Sequence, residues 1–278
     1  MNNPHPSSLI SHPSSKIFAG PRGSNLLSPL YQSDKIMFRN FIEGFTSYGR
    51  AWDYIRDLRL WGYLLVPALI SVVLAIGVGS AAWALSDNIG GLLTGWIPGD
   101  AKAIDTLGRI FGGLLVGAVA LAIFKVLVIA LCAPFMSPLS EKIEAHITGR
   151  PAKGGFQPAR IIREMLRGLG INLRNLFWEL FLTLLLVILG LVIPILAPLT
   201  PVLIFLVQAY YAGFGNMDFT LERHFSYRDS ILFVRDFKGL AMGNGTAYLL
   251  LLFTGIGFLV ALPLGVIAST IETVERIK

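Results

Sequence analysis

Lys125 is the single charge in an apolar run from about Ile110 to Leu131, and Glu179 is the single charge in the run from Leu176 to Tyr211. An isolated charge in apolar surroundings is expensive, so it either meets a partner or reaches for the polar edge. For Lys125, close to one end of its run, snorkelling to the edge is the favoured reading. Contact with an anionic solute or a carboxylate partner is the rival. Glu179 and His224 join Lys125 as candidate pore or structural polar residues. By residue type, His146, His224, Glu222 and Asp218 could do acid–base or metal chemistry. Their spacing fits no H-E-x-x-H, no nucleophile elbow and no phosphate-binding loop. The reading is therefore of a protein that is not an enzyme and uses no cofactor, with His224 a hydrogen-bonded loop histidine. Cys132, the one cysteine, rules out an intramolecular disulfide and a thiolate metal cluster, and reads as a packed side chain.

The elements that position these residues are helices in a membrane. Of 278 residues 54% are hydrophobic and only 14% charged, with mean hydropathy +0.66; soluble domains carry about a quarter charged residues. Residues 1–36, rich in Ser, Pro and Asn, read as a disordered tail. Phe38, Phe41, Ile42, Phe45, Tyr48, Trp52 and Ile55 then recur at helical spacing among charged residues, which predicts an amphipathic helix at the membrane interface. The first spanning helix is expected over about Trp61–Leu85 and the second over about Ile110–Leu131, since about 20 apolar residues cross the hydrocarbon. Pro134 and Pro138 should end the second, with a short surface helix after them stopped at Gly149-Arg150-Pro151. Around 157–174, Ile161, Ile162, Met165, Leu166 and Leu169 oppose Arg160, Arg163, Arg167 and Arg174 in a basic amphipathic helix. Leu176–Tyr211 is too long for one crossing and is broken by Pro194, Pro198 and Pro201. It reads as a hairpin that turns within the bilayer; two complete crossings are the rival, for which each arm would be short. Ala247–Ser269 is one loose crossing or a second hairpin.

The net charge is +6, and the basic residues flank apolar runs, which argues for a membrane face next to anionic lipid and against nucleic acid. Segments 35–60, 141–175 and 216–238 are basic, whereas 86–108 carries Lys102 against Asp87, Asp100 and Asp105. The positive-inside rule then puts the N-terminus in the cytoplasm, the 86–108 connection outside and both later polar loops inside. Abundant glycine in the apolar runs suggests close helix packing and a homo-oligomer.

Ala133-Pro134-Phe135, Leu139, Glu141-Lys142-Ile143-Glu144-Ala145 and Thr148-Gly149 resemble the Ala-Pro-Phe segment, Glu-x-x-Glu-Ala helix and Thr-Gly stop of the CysZ-type sulfate permeases, whose eukaryotic relatives are endoplasmic-reticulum proteins induced by etoposide. Arg163-Glu164 with Leu176–Leu180 is similar to the next helix of that family. Asp218-Phe219 and His224 resemble its Asp-Tyr-Pro and Asn-His run, with Thr220 and Arg223 substituted, and Pro263 with Ala268-Ser269-Thr270 resembles its closing segment. The resemblance implies an all-α polytopic membrane protein with two long transmembrane helices and two partly penetrating helical hairpins, occupying residues 37–278. It also implies a permease for a small inorganic anion, with sulfate for cysteine synthesis the candidate, in the inner (plasma) membrane. The alternative is a non-transporting scaffold or biogenesis protein. The family's Gly-Leu-Arg-Arg sulfate segment has its nearest match in Asp57-Leu58-Arg59-Leu60, where Asp57 replaces the glycine and one arginine is absent. On this basis Arg59, and after it Arg56, would bind the anion with main-chain N–H groups of the following helix start.

Overall fold

The computed structural model describes residues 28–94, 102–150, 158–254 and 257–278, with side chains over 35–85, 108–150, 166–254 and 257–278 and at Thr106 and Arg163. Among these residues there is no strand. The helices are α1 (Ser28–Asp57), α2 (Gly62–Thr94), α3 (Lys102–Thr148), α4 (Pro158–Val192), α5 (Thr200–Leu221), α6 (Tyr227–Asp236), α7 (Lys238–Phe253) and α8 (Ala261–Ile277). Residues up to Lys35 form a unit of their own, in which α1 already starts at Ser28, inside the stretch expected to be a tail; residues 1–27 lie outside the described residues.

Among the described residues three helices are long and apolar enough to cross a bilayer, over Gly62–Leu85, Gly108–Thr148 and Leu166–Val192. Large apolar side chains on α2, among them Leu65, Leu69, Val73, Ile76 and Trp83, stand out from the protein. A soluble protein does not leave a continuous apolar belt uncovered, and hydrocarbon is the solvent that accommodates one. The chain is an all-α membrane protein.

Two expectations change. Pro134 and Pro138 do not end the second span: α3 runs through both for 47 residues, about 70 Å at 1.5 Å per residue. Cys132, Met136, Leu139, Ser140 and Ile143, at helical spacing, are all buried before, between and beyond the prolines, so tertiary packing overrides the local break. The helix stops where expected, at Gly149 with φ 68. The second change concerns α4, a single helix from the basic amphipathic segment to the bend, whose apolar part of 27 residues is long enough to cross. The first hairpin arm is therefore not short. Ile161, Ile162, Met165 and Arg160 lie outside the described side chains, Leu166, Leu169 and Arg163 are exposed, and Arg167 turns inward.

The bend falls at Ile193–Leu199, with a short turn of helix at Pro194–Leu196, where the proline cluster put it. The last apolar region is a second hairpin, α7 and α8. At 16 and 17 residues these helices reach about 24 and 26 Å, less than the hydrocarbon thickness. α8 is the more enclosed of the two: every residue from Ala261 to Val274 is buried.

α7 lies between α1 and α5 at backbone contact. A Cβ on Gly243 would overlap the Phe41 carbonyl of α1, and one on Gly245 would overlap the Ala209 carbonyl of α5. Only residues without a Cβ permit that approach. The face of α1 that packs inward is consequently small or polar over Asn40, Gly44, Ser47 and Ala51, at steps of three and four, and ends on the buried Ile55. The aromatic and aliphatic face, with Phe38, Ile42, Phe45 and Trp52, points outward, as in an interfacial helix that offers its apolar side to lipid.

Candidate functional site

Arg59 sits in the turn between α1 and α2. Leu60 N–H donates to Ile55 O at 2.9 Å and Arg59 N–H to Arg56 O at 3.4 Å, the bond pattern of a Schellman helix end. The position that usually takes glycine is occupied by Arg59 with φ 52, the one non-glycine residue with positive φ among the described residues. Leu60 and Ile55 are both buried and lock the turn to the core, leaving the Arg59 side chain exposed and without an ion pair among the described residues. Trp52 and Trp61 flank the turn edge to face, 5.6 Å apart. Arg56 pairs with Asp53 at 3.2 Å and Asp57 at 3.4 Å. Tyr63 and Leu64 N–H donate to Leu60 and Trp61 carbonyls, so the turn itself uses donors that the sequence offered to an anion.

Lys125 does not snorkel. It is 2% exposed, and its ammonium donates to Glu179 Oε1 at 2.6 Å, Gln208 Oε1 at 2.7 Å and Gln208 O at 3.1 Å. The rival reading, a carboxylate partner, is the one the structure gives. Gln208 Nε2 donates to Ala118 O at 2.9 Å, which closes the network across α3, α4 and α5. An ammonium has three donors, and all three are used.

Most of the remaining candidates lie along α5, where it packs on α3 and α8 and meets α4 and α6. Glu144 accepts from Arg223 Nε at 2.9 Å and bonds His224 Nε2 at 2.7 Å. Arg223 Nη2 donates to Ser140 Oγ at 2.8 Å, and Ser140 lies within 3.0 Å of the hydroxyls of Thr220 and Thr270, themselves 2.9 Å apart. Arg167 of α4 donates to Asp218 Oδ1 at 3.1 Å and to Ser230 Oγ at 2.6 Å. Ser137 donates to Glu222 at 2.6 Å beside a cavity of about 130 Å³ between α3, α4 and α5, which Asp218 and Asn172 also line. His146 packs on Tyr54 and stays apart. The four residues considered for acid–base chemistry are thus distributed over separate contacts, and among the described residues no group of His, Cys, Asp and Glu is placed to hold a metal ion. Cys132 is buried.

A second set of polar contacts ties α1 to the hairpins. Tyr48 OH donates to Asn244 O at 3.0 Å; burial, with the Tyr248 phenol next to it, holds the Tyr48 pKa well above its ordinary value and keeps it a donor. Asn216 Nδ2 donates to Asn244 Oδ1 at 2.8 Å, and Asn244 Nδ2 to Gly265 O at 3.1 Å. Arg50 pairs with Glu272 and Glu275, and Arg276 with Glu43 and Glu272.

Sequence reasoning missed Gln208, Ser140, Thr220 and Arg167 as partners. Gln208 had a signal: it is an uncharged polar residue in an apolar run that must be satisfied once buried. The hydroxyls had none, because Ser and Thr are tolerated in membrane helices through bonds to their own backbone.

A long-helix scaffold carrying two hairpins, with charged residues paired inside, defines an all-α polytopic membrane protein. The family model described as sulfate transporter CysZ/etoposide-induced protein 2.4 matches residues 47–263, from the middle of α1 into α8. The chain belongs to that family, and at family level its function is of the membrane sulfate-transporter type. Glu144 and His224, which bond each other, and Asp218, which pairs with Arg167, are residues on which the resemblance rested.

Proposed function

We propose that the protein is a passive or ion-coupled permease for a small inorganic anion, with sulfate the first candidate, and that Arg59 meets the anion at the α1–α2 turn. The observation that carries this is the backbone of Arg59. A non-glycine residue in the left-handed region costs about 1–2 kcal/mol, and such strain concentrates where a site needs a particular side chain. The guanidinium it presents is exposed and unpaired, and its planar fork suits an oxyanion. Arg56 is the secondary contact, since its exposed pairs with Asp53 and Asp57 are each worth less than about 1 kcal/mol and an incoming dianion competes with them. The charge distribution along the chain supports a cytoplasmic N-terminus, which puts the Arg59 turn at the cytoplasmic mouth of an inner-membrane permease.

The test is sulfate binding in detergent and sulfate flux in reconstituted vesicles for the wild type, Arg59→Ala and Arg59→Lys. Loss of affinity by about tenfold or more in both variants is expected, because a lysine is a point charge and not a fork. Equal affinity in all three removes Arg59 from the site. A wild type that passes no anion from a panel including sulfate returns the protein to the scaffold reading.

A further inference from the structure

Buried polar groups on the inner face of α4 follow a regular order. Arg167, Ile171, Asn175, Glu179, Thr183 and Val187 succeed one another at four-residue steps and turn toward α3 and α5. Within this row three groups find no hydrogen-bond partner: Arg167 Nε, Asn175 Nδ2 and Thr183 Oγ1. They stand eight residues apart, about 12 Å along the helix. Asn175 and Thr183 are 3% and 0% exposed, so neither is served by bulk solvent. The ion pair of Lys125 with Glu179 lies midway between them.

A pair that served only to join helices would have no use for unmet donors one turn before and one turn after it. Each buried group left unmet costs about 1–3 kcal/mol, so the seam bears a penalty that a guest accepting hydrogen bonds would relieve. Arg167 Nε and Asn175 Nδ2 are donors only, the Thr183 hydroxyl can donate, and the one carboxylate of the row, Glu179, is met by the Lys125 ammonium of α3. The guest that this row fits is an anion rich in acceptor oxygens. Glu179 already places such a group, a carboxylate, on the Lys125 ammonium.

We propose that the α3–α4–α5 seam is the path of the anion inside the protein, with Lys125 its central contact and Glu179 a tethered carboxylate that occupies Lys125 until an anion displaces it. This rests on the anion-permease reading. The anion passes from Arg167 to Asn175, exchanges with Glu179 on Lys125, and leaves by Thr183. No bond is made or broken. Glu179 keeps the lysine paired between passages, which a buried ammonium requires.

Two variants decide it. Glu179→Gln removes the competing charge and keeps the shape, so sulfate binding to the purified protein, with inorganic sulfate as the probe, should tighten by about tenfold or more. Lys125→Met alone would leave Glu179 buried and unpaired and could fail to fold. The double variant Lys125→Met with Glu179→Leu replaces the pair by apolar side chains, an exchange that is often neutral for stability. Folded, as judged by melting and monodisperse elution, it should pass sulfate at the background rate of empty vesicles. Wild-type flux through the double variant overturns the path, and unchanged binding in Glu179→Gln overturns the tethered role. If the wild type passes no anion, the permease reading fails at that point. If the wild type transports and Arg59→Ala does not, while the double variant transports normally, only the seam is wrong.

Discussion

Arg59 and Lys125 are both cations beside or within apolar helices, yet the fold treats them in opposite ways. Lys125 is saturated by Glu179 and Gln208, whereas Arg59 is presented unpaired on a left-handed turn. A glycine at position 59 would remove the αL penalty but widen the unfolded ensemble, two effects of opposite sign near 1 kcal/mol each. Arg59→Gly should therefore melt at or slightly above the wild-type temperature while losing sulfate affinity. A clear fall in melting temperature would mean that the Arg59 side chain carries stability instead. Glu144 gives the contrasting case, because it holds both Arg223 and His224. Glu144→Gln leaves a half-buried arginine without its counter-charge and should destabilise the protein by about 3 kcal/mol, read as a lower melting temperature in detergent. The chemistry of these side chains was legible from the sequence; which of them were paired was not. Lys125 and Glu179 are 54 residues apart, and no local pattern announces such a contact.

Elements were read well where period and length decide, and less well where packing overrides propensity. The proline cluster at 194–201 marks a real bend, but Pro134 and Pro138, the same residue type at similar spacing, lie inside a continuous helix. The difference is burial. Met136, Leu139 and Ile143 are held in the core, whereas Pro194–Leu196 has no buried residue. Replacing Pro138 by Ala should accordingly leave fold and flux unchanged and the melting temperature unchanged or raised, since the prolines do not shape the helix end. A fall would show that the proline is needed at that position. The glycines of α7 predict the reverse. A methyl at Gly243 or Gly245 meets backbone, which cannot swing aside as a side chain can. Each Gly→Ala change should cost about 1–3 kcal/mol or more, with Gly243→Ala loosening α1 and Gly245→Ala loosening α5. Cysteine cross-linking between α1 and α7, compared with that between α5 and α7, separates the two.

At the scale of the whole molecule, the first hairpin needs both of its flanks on one side of the membrane. Single cysteines at exposed Arg163, Ile195 and Arg228, with buried Cys132 as a silent background, test this with impermeant reagents. Labelling of positions 163 and 228 from the same side is the expected pattern. Position 195, at the bend and 85% exposed, should label poorly from both sides if the tip lies in hydrocarbon. It should label from the opposite side if α4 uses its full crossing length. Flanks on opposite sides would exclude a hairpin.

The solvent, the helical class, the place of the proline bend, the family and the middles of α1 and α2, though not the start of α1 or the end of α2, were legible in contiguous residues, because hydropathy, helical period and short motifs are local properties. Contacts between helices settle the rest: α3 passes through two prolines, the last apolar region folds back as α7 and α8, and Lys125 is a buried partner and not a snorkelling edge charge. Each of these turns on what lies across from a residue in space. A lone charge or a proline in an apolar run has the same local signature whether its neighbour is lipid, water or a carboxylate on another helix, and its free energy depends on which of these it meets.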